Sequence, residues 1–185
     1  EMCIRDRGTG TLTLSGLQCG PVPPANDNCA NAAWIGAGTL VNGSTTLATD
    51  DGTADCGASA DTADVWYKYR PRTSGTVTVE TCTGSNYDTV LSAHTGSCGS
   101  FTQIACNDDT CGLQSRISFA GVPGTTYYLR VSGYSGDTGN YGLRVTGGGG
   151  VVPPLNDDCT NRAGLGLGTL AFDTTGATTD GPALS

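Results

Sequence analysis

Val65-Trp66-Tyr67-Lys68-Tyr69-Arg70 alternates two characters along one short segment, with Val65, Tyr67 and Tyr69 on one side and Trp66, Lys68 and Arg70 on the other. A period of two is what a strand with one buried face produces, because successive side chains point to opposite faces of a sheet. The pattern recurs outward from there. Val77 and Val79 alternate with Thr78 and Glu80, and Ile117 and Phe119 with Arg116 and Ser118. Tyr127, Leu129 and Val131 alternate with Tyr128 and Arg130, and Tyr141, Leu143 and Val145 with Gly142 and Arg144. Weaker segments at 44–49, 88–94 and 101–106 bring the expected total to about eight strands. Turn chemistry separates them: Pro71 to Gly75, Thr95-Gly96-Ser97, Val122-Pro123-Gly124 and Gly136 to Asn140. Many short strands with regular punctuation predict an all-β fold, an antiparallel β-sandwich of jelly-roll-like type.

Composition agrees. Charged residues make up 14% of the 185-residue chain, glycines number 29, and the one lysine is Lys68. Helix-favouring residues are scarce. The formal net charge of −8 has no basic stripe within it, so nucleic acid is not an expected partner. No apolar run reaches the 18 or so residues that would cross a bilayer, so no membrane insertion is expected of this sequence.

The string Pro-Pro-x-Asn-Asp-x-Cys occurs twice, at Pro23 to Cys29 and again 130 residues later at Pro153 to Cys159. At the same offset Gly38-Thr39-Leu40 matches Gly168-Thr169-Leu170, and Ala48-Thr49-Asp50 resembles Thr178-Thr179-Asp180. The expected organisation is a window on a tandem array of whole domains. Residues 1–24 hold the end of a preceding repeat plus linker, with 1–7 read as spurious translated sequence. One complete domain spans 25–147, a Gly/Pro linker spans 148–154, and 155–185 open the next repeat. The glycine run from Gly147 to Gly150 reads as flexible and Pro153-Pro154 as stiff.

Six cysteines fall in the complete domain: Cys29, Cys56, Cys82, Cys98, Cys106 and Cys111. An even count in a small, turn-rich domain reads as a disulfide framework, hence secretion or display at a cell surface. Six cysteines allow 15 pairings. Sequence proximity favours Cys29–Cys56, Cys82–Cys98 and Cys106–Cys111. Zinc is disfavoured, because no C-x-x-C occurs and the one histidine, His94, has no ligand-like spacing to cysteine.

A family resemblance rests on an ordered set of motifs: Val65 to Tyr69, Tyr87-Asp88-Thr89-Val90-Leu91, Cys106-Asn107-Asp108-Asp109, Gly124 to Tyr134, and Gly139 to Val145. Together they resemble a bacterial pre-peptidase C-terminal domain, in the cysteine-rich variety repeated in large secreted proteins. The resemblance covers residues 60 to 147 well and the opening segment less well. It implies an eight-stranded, non-catalytic β-sandwich appended to exported proteases and other secreted proteins, calcium-binding in some members and attached to protein or polysaccharide in others. The six cysteines depart from the simple family pattern, so no ligand site is transferred.

Among candidate sites, catalysis has little to draw on. His94 reads as an exposed turn residue, no G-x-S-x-G is present, and Asp88 with Asp108 or Asp109 is the one carboxylate pairing that glycoside cleavage could use. The sharper candidate is calcium held by Asp88, Asn107, Asp108 and Asp109, since calcium takes six to eight oxygens and these residues offer several. The competing reading is that they cap their own turns. Asn26-Asp27-Asn28 and Asp50-Asp51 are weaker candidates of the same kind. Trp66, Tyr128 and Tyr134 form a candidate aromatic platform opposite the expected core. No cofactor is required by this reading. The expected function is a non-catalytic binding or targeting module of a larger extracellular protein, with an extracellular protein, a polysaccharide or neighbouring repeats as partners. A stalk or adhesin spacer without a ligand is the alternative, and a glycoside-cleaving enzyme a distant third.

Overall fold

The computed structural model describes residues 21–60, 62–150 and 177. Nine strands follow in order: β1 (Ala33–Trp34), β2 (Leu40–Ser44), β3 (Val65–Tyr69), β4 (Gly75–Glu80), β5 (Thr89–Ser97), β6 (Ser100–Asn107), β7 (Arg116–Gly121), β8 (Tyr127–Gly133) and β9 (Asn140–Thr146). They form a five-stranded sheet, β1-β3-β8-β5-β6, and a four-stranded sheet, β2-β9-β4-β7. Four nested antiparallel pairs carry the topology: β2 with β9, β3 with β8, β4 with β7 and β5 with β6. The chain is in effect one long hairpin folded about Cys98-Gly99 and rolled up, with β4–β9 and β5–β8 contacts closing each sheet. That is the jelly-roll arrangement. The ninth strand is β1, two residues long and parallel to β3, too short for a period of two to reveal.

The inner faces are those the alternation marks. Val65, Tyr67, Tyr69, Leu91, Leu129 and Val131 meet Val77, Val79, Ile117, Tyr141, Leu143 and Val145 in one buried cluster. The Tyr67 and Tyr141 hydroxyls lie 2.8 Å apart and satisfy each other across the layers, so two large aromatics are buried without orphaned oxygens.

Three segments differ from their sequence reading. The strand expected at 44–49 sits at 40–44, because Asp27 captures the Thr49 N–H and hydroxyl and draws the chain off the sheet. Thr95-Gly96-Ser97 is strand, not turn, and the turn is the two-residue Cys98-Gly99. Gly147 to Gly150 is bound to the domain. The Gly148 carbonyl accepts from the Arg72 and Thr73 amides, that of Gly150 accepts from Ala37, and the Tyr69 hydroxyl bridges Gly147 and Gly150. Glycine is needed there, because residues 147 to 149 all have φ between 58° and 84°.

The expected disulfide pairing is overturned in all three bonds. Cys29 pairs with Cys98, Cys56 with Cys106 and Cys82 with Cys111, at sequence separations of 69, 50 and 29. Proximity in sequence misleads because β5 and β6 form a hairpin whose tip folds over onto the opening segment. Cys98, at that tip, lands beside Cys29, far from Cys82. Each bond ties a loop to a strand or turn that is remote in the chain.

Candidate functional site

One end of the sandwich gathers the loop before β5, the β6–β7 loop, the turn at Cys56-Gly57-Ala58 and the β8–β9 connection. Buried hydroxyls form its floor. Thr81 and Thr89 share a 2.6 Å hydrogen bond, the Thr81 hydroxyl accepts from the Ser115 amide, and the Ser115 hydroxyl lies within reach of the Thr89 and Asp108 carbonyls. Cys106 and Cys111 pin the β6–β7 loop at both sides, each to a different segment rather than to each other.

Within this frame the carboxylates of Asp88, Asp108 and Asp109 offer oxygens that all lie within 4.8 Å of one another. One oxygen each of Asp88 and Asp108 is buried without a hydrogen-bond partner. Burial pushes both carboxyls above the usual carboxylate range, and charge repulsion adds to it, from Asp109 and Asp137 at Asp88 and from Asp109 and Asp88 at Asp108. Gly57, at φ +63°, lies so close to Asp108 that a side chain there would press on its carboxylate. Three of the four residues named as calcium candidates, Asp88, Asp108 and Asp109, therefore come together, and Asn107 turns to other partners. Its side-chain oxygen accepts from the Thr110 and Arg116 amides, both at 3.1 Å, so Asn107 shapes the loop and is removed from the set. Asp137 joins the field around the site, and sequence spacing held no sign of it.

Of the other acidic candidates, Asp50 is exposed with its carboxylate 3.7 Å from Arg130, and the rest meet donors of the fold. Asp27 binds the Thr49 amide at 2.6 Å and its hydroxyl at 2.9 Å. Asn26 donates to the Trp66 carbonyl, and Asp51 accepts from the Cys29 amide and the Trp66 indole. Asp64 accepts from the same indole and from Arg130, which is fully buried and also donates to the Ser59 and Thr62 carbonyls and the Ser132 hydroxyl. Burial pushes the Asp64 carboxyl up to about 7 against the pull of Arg130. The first copy of the string, Asn26 to Cys29, is thus part of a structural clasp, which fastens residues 49–60 and 62–64 to the outer face of the five-stranded sheet, and the second copy lies outside the described residues.

That clasp also corrects the aromatic platform. Trp66 points away from the main core as expected, yet it is fully buried with Cys29 and Ala32 in a second core, flanked by Phe101 and Tyr128. His94 is not an exposed turn residue. It is buried within β5, 2.8 Å from the Ser92 hydroxyl, and burial with the nearby Arg130 charge pushes its pKa down to about 4. Of the three platform residues Tyr134 is exposed and Tyr128 half-buried, on different surfaces.

The model of a family described as galactose-binding domain-like, and labelled as T9SS-associated, matches residues 25–145. The chain belongs to that family. Among solved structures it is similar to the pre-peptidase C-terminal domain of a collagenase from Bacillus anthracis, at 18% identity and a TM-score of 0.43, covering 62% of this chain and 94% of the other. No curated protein matches the sequence.

Proposed function

We propose that the domain is a non-catalytic binding or targeting module of an exported protein, and that its acidic end binds calcium through Asp88, Asp108 and Asp109. The family assignment and the three disulfides support an exported module. The observation that carries the calcium reading is the pair of orphaned carboxylate oxygens within a three-aspartate cluster. A buried acceptor without a donor is costly, and a divalent cation would relieve both that cost and the mutual repulsion. Backbone carbonyls and water would complete the six to eight oxygens that calcium takes, and an affinity on the order of 10⁻⁴–10⁻³ M would suffice outside the cell.

Titration calorimetry and thermal melting of the chain, in calcium and in chelator, test this reading. The parent is expected to bind and to melt higher in calcium, whereas Asp108→Asn and Asp88→Asn lose both responses. A parent that gives neither heat nor shift overturns it.

A further inference from the structure

We infer that calcium binding at the acidic end is governed by the Cys56–Cys106 disulfide, which holds the turn at Gly57 against Asp108 and makes the metal site dependent on oxidation. This rests on the calcium reading of Asp88, Asp108 and Asp109, and adds what controls it. Cys106 lies in β6 just ahead of Asp108, and its partner Cys56 lies 50 residues earlier in the chain. Next to Cys56 is Gly57, where an added methyl group would stand 3.0 Å from the Asp108 Cγ and 2.5 Å from the Val90 Cγ2. Backbone is thus the wall of the site on that side, and it packs beside the Asp108 Oδ1, which is buried without a hydrogen-bond partner.

The turn is braced at one end by side chains. The Ser59 hydroxyl donates to the Cys56 carbonyl at 2.8 Å, and the buried Arg130 donates to the Ser59 carbonyl at 2.9 Å. At the other end the disulfide is the covalent tie, and the Asp55–Gln103 contacts beside it are exposed, so they compete with water. Asn107 already holds the β6–β7 loop from within. What the disulfide adds is the opposite wall. Repulsion among carboxylates is strong only where water is kept out, and the wall keeps water from the Asp108 Oδ1. With the turn released, water reaches that oxygen and the side chain gains rotamers, so calcium must order both to bind.

Reduction supplies the release. One thiolate of an external dithiol attacks a sulfur of the bond and expels the other cysteine as thiolate. The second thiol of the reagent then closes a ring on the first and expels the remaining cysteine. The dithiol leaves as a cyclic disulfide, and Cys56 and Cys106 take up its two electrons and two protons. Both cysteines are half-buried rather than sealed in the core, which gives such a reagent access.

Calcium affinity of the full chain is measured by titration calorimetry for the parent, for Cys56→Ala with Cys106→Ala, and for Cys29→Ala with Cys98→Ala, each checked for folding in chelator by circular dichroism. The two bonds span 50 and 69 residues and should contribute similar stability, so a loss of affinity confined to the first pair is specific to the wall. That variant should bind calcium about tenfold more weakly, as when groups that hold a metal's ligands are removed. The Cys29 and Cys98 variant should bind as the parent does. Gly57→Ala keeps all three bonds but presses on Asp108, and should also weaken calcium. Gly124→Ala places an alanine at a φ of +79° with nothing within 4 Å, and should not.

Linkage gives a further readout in the parent. In a dithiothreitol redox buffer, read by alkylation and peptide mapping, saturating calcium should shift Cys56–Cys106 towards the disulfide by the same factor by which its loss weakens calcium. Cys29–Cys98 should not move. A parent that binds no calcium overturns both readings. A parent that binds, with the Cys56 and Cys106 variant binding equally tightly, overturns this one alone, as does calcium that leaves the reduction of that bond unchanged. If the double variant does not fold, Gly57→Ala and the redox equilibrium decide on the same terms.

Discussion

Asp27, Asp51 and Asp64 on one side of the molecule, and Asp88, Asp108 and Asp109 at its end, are two acidic clusters built from similar sequence. In the first, donors from Thr49, Cys29, Trp66 and Arg130 meet the carboxylates. In the second, two buried oxygens meet no donor. An aspartate whose acceptors are filled is part of the scaffold, whereas one held in place with acceptors empty is suited to an ion. The difference lies in the surroundings and not in the residues.

The comparison breaks most severely at Arg130. Arg130→Met would leave Asp64 buried without its cation and should cost about 3–5 kcal/mol of unfolding free energy, read from urea denaturation. If that loss proves below about 1 kcal/mol, the clasp is not what holds residues 49–60 and 62–64 in place. The disulfides come next. From their separations each should contribute about 4 kcal/mol through restriction of the unfolded chain, so removing any one pair by double Cys→Ala substitution should lower stability by similar amounts. Peptide mapping without reductant should recover Cys29–Cys98, Cys56–Cys106 and Cys82–Cys111, and a Cys106–Cys111 peptide would contradict the fold.

A pH experiment sharpens the clasp side. His94 has a folded pKa near 4 against an ordinary value of about 6.5, so it is buried neutral and must charge when the chain unfolds in acid. Its contribution is present above about pH 6.5 and is lost as pH falls towards 4, to a total of up to roughly 3 kcal/mol. Asp64 works in the opposite sense over the same range, since a raised carboxyl pKa gives stability that is lost as pH rises towards 7. The difference between parent and His94→Gln isolates the histidine, and a difference flat from pH 7 to pH 4 would contradict its burial.

The two clusters should also separate under calcium. Asp27→Ala and Asp51→Ala should each destabilise by about 1–3 kcal/mol, yet keep the calcium-dependent rise in melting temperature. Asp88→Asn and Asp108→Asn should melt in chelator no lower than the parent and show no rise, because they relieve repulsion while removing a ligand. The smallest effect belongs to the exposed Arg116–Glu80 pair, where Arg116→Ala should change stability by less than about 1 kcal/mol.

Much of the fold was legible because its information is local. The alternation in Val65 to Arg70 and in Tyr127 to Val131 separates inner from outer side chains correctly, since a strand repeats every two residues whatever it packs against. The candidate site was legible as a composition: Asp88, Asp108 and Asp109 stand out by residue type and do come together. Asn107 was not separable from them, because its role depends on the Arg116 amide nine residues away.

What escaped the sequence is what depends on the second layer of contacts. Alternation says that Trp66 and Arg130 leave the main core, but only the clasp decides that they are buried again beneath residues 49–60 and 62–64. The same holds for His94, for the docked glycines at 147–150, and for the disulfides, whose partners are brought together by rolling the hairpin and not by proximity along the chain. Sequence alone determined the β class, the inward face of the strands at 65–69, 77–80, 116–119, 127–131 and 141–145, the set of six bonded cysteines and the acidic loop. Tertiary structure decided which cysteines meet, which aromatics are covered and which carboxylates keep an empty acceptor, because each of these requires atoms distant in sequence to occupy the same few ångströms.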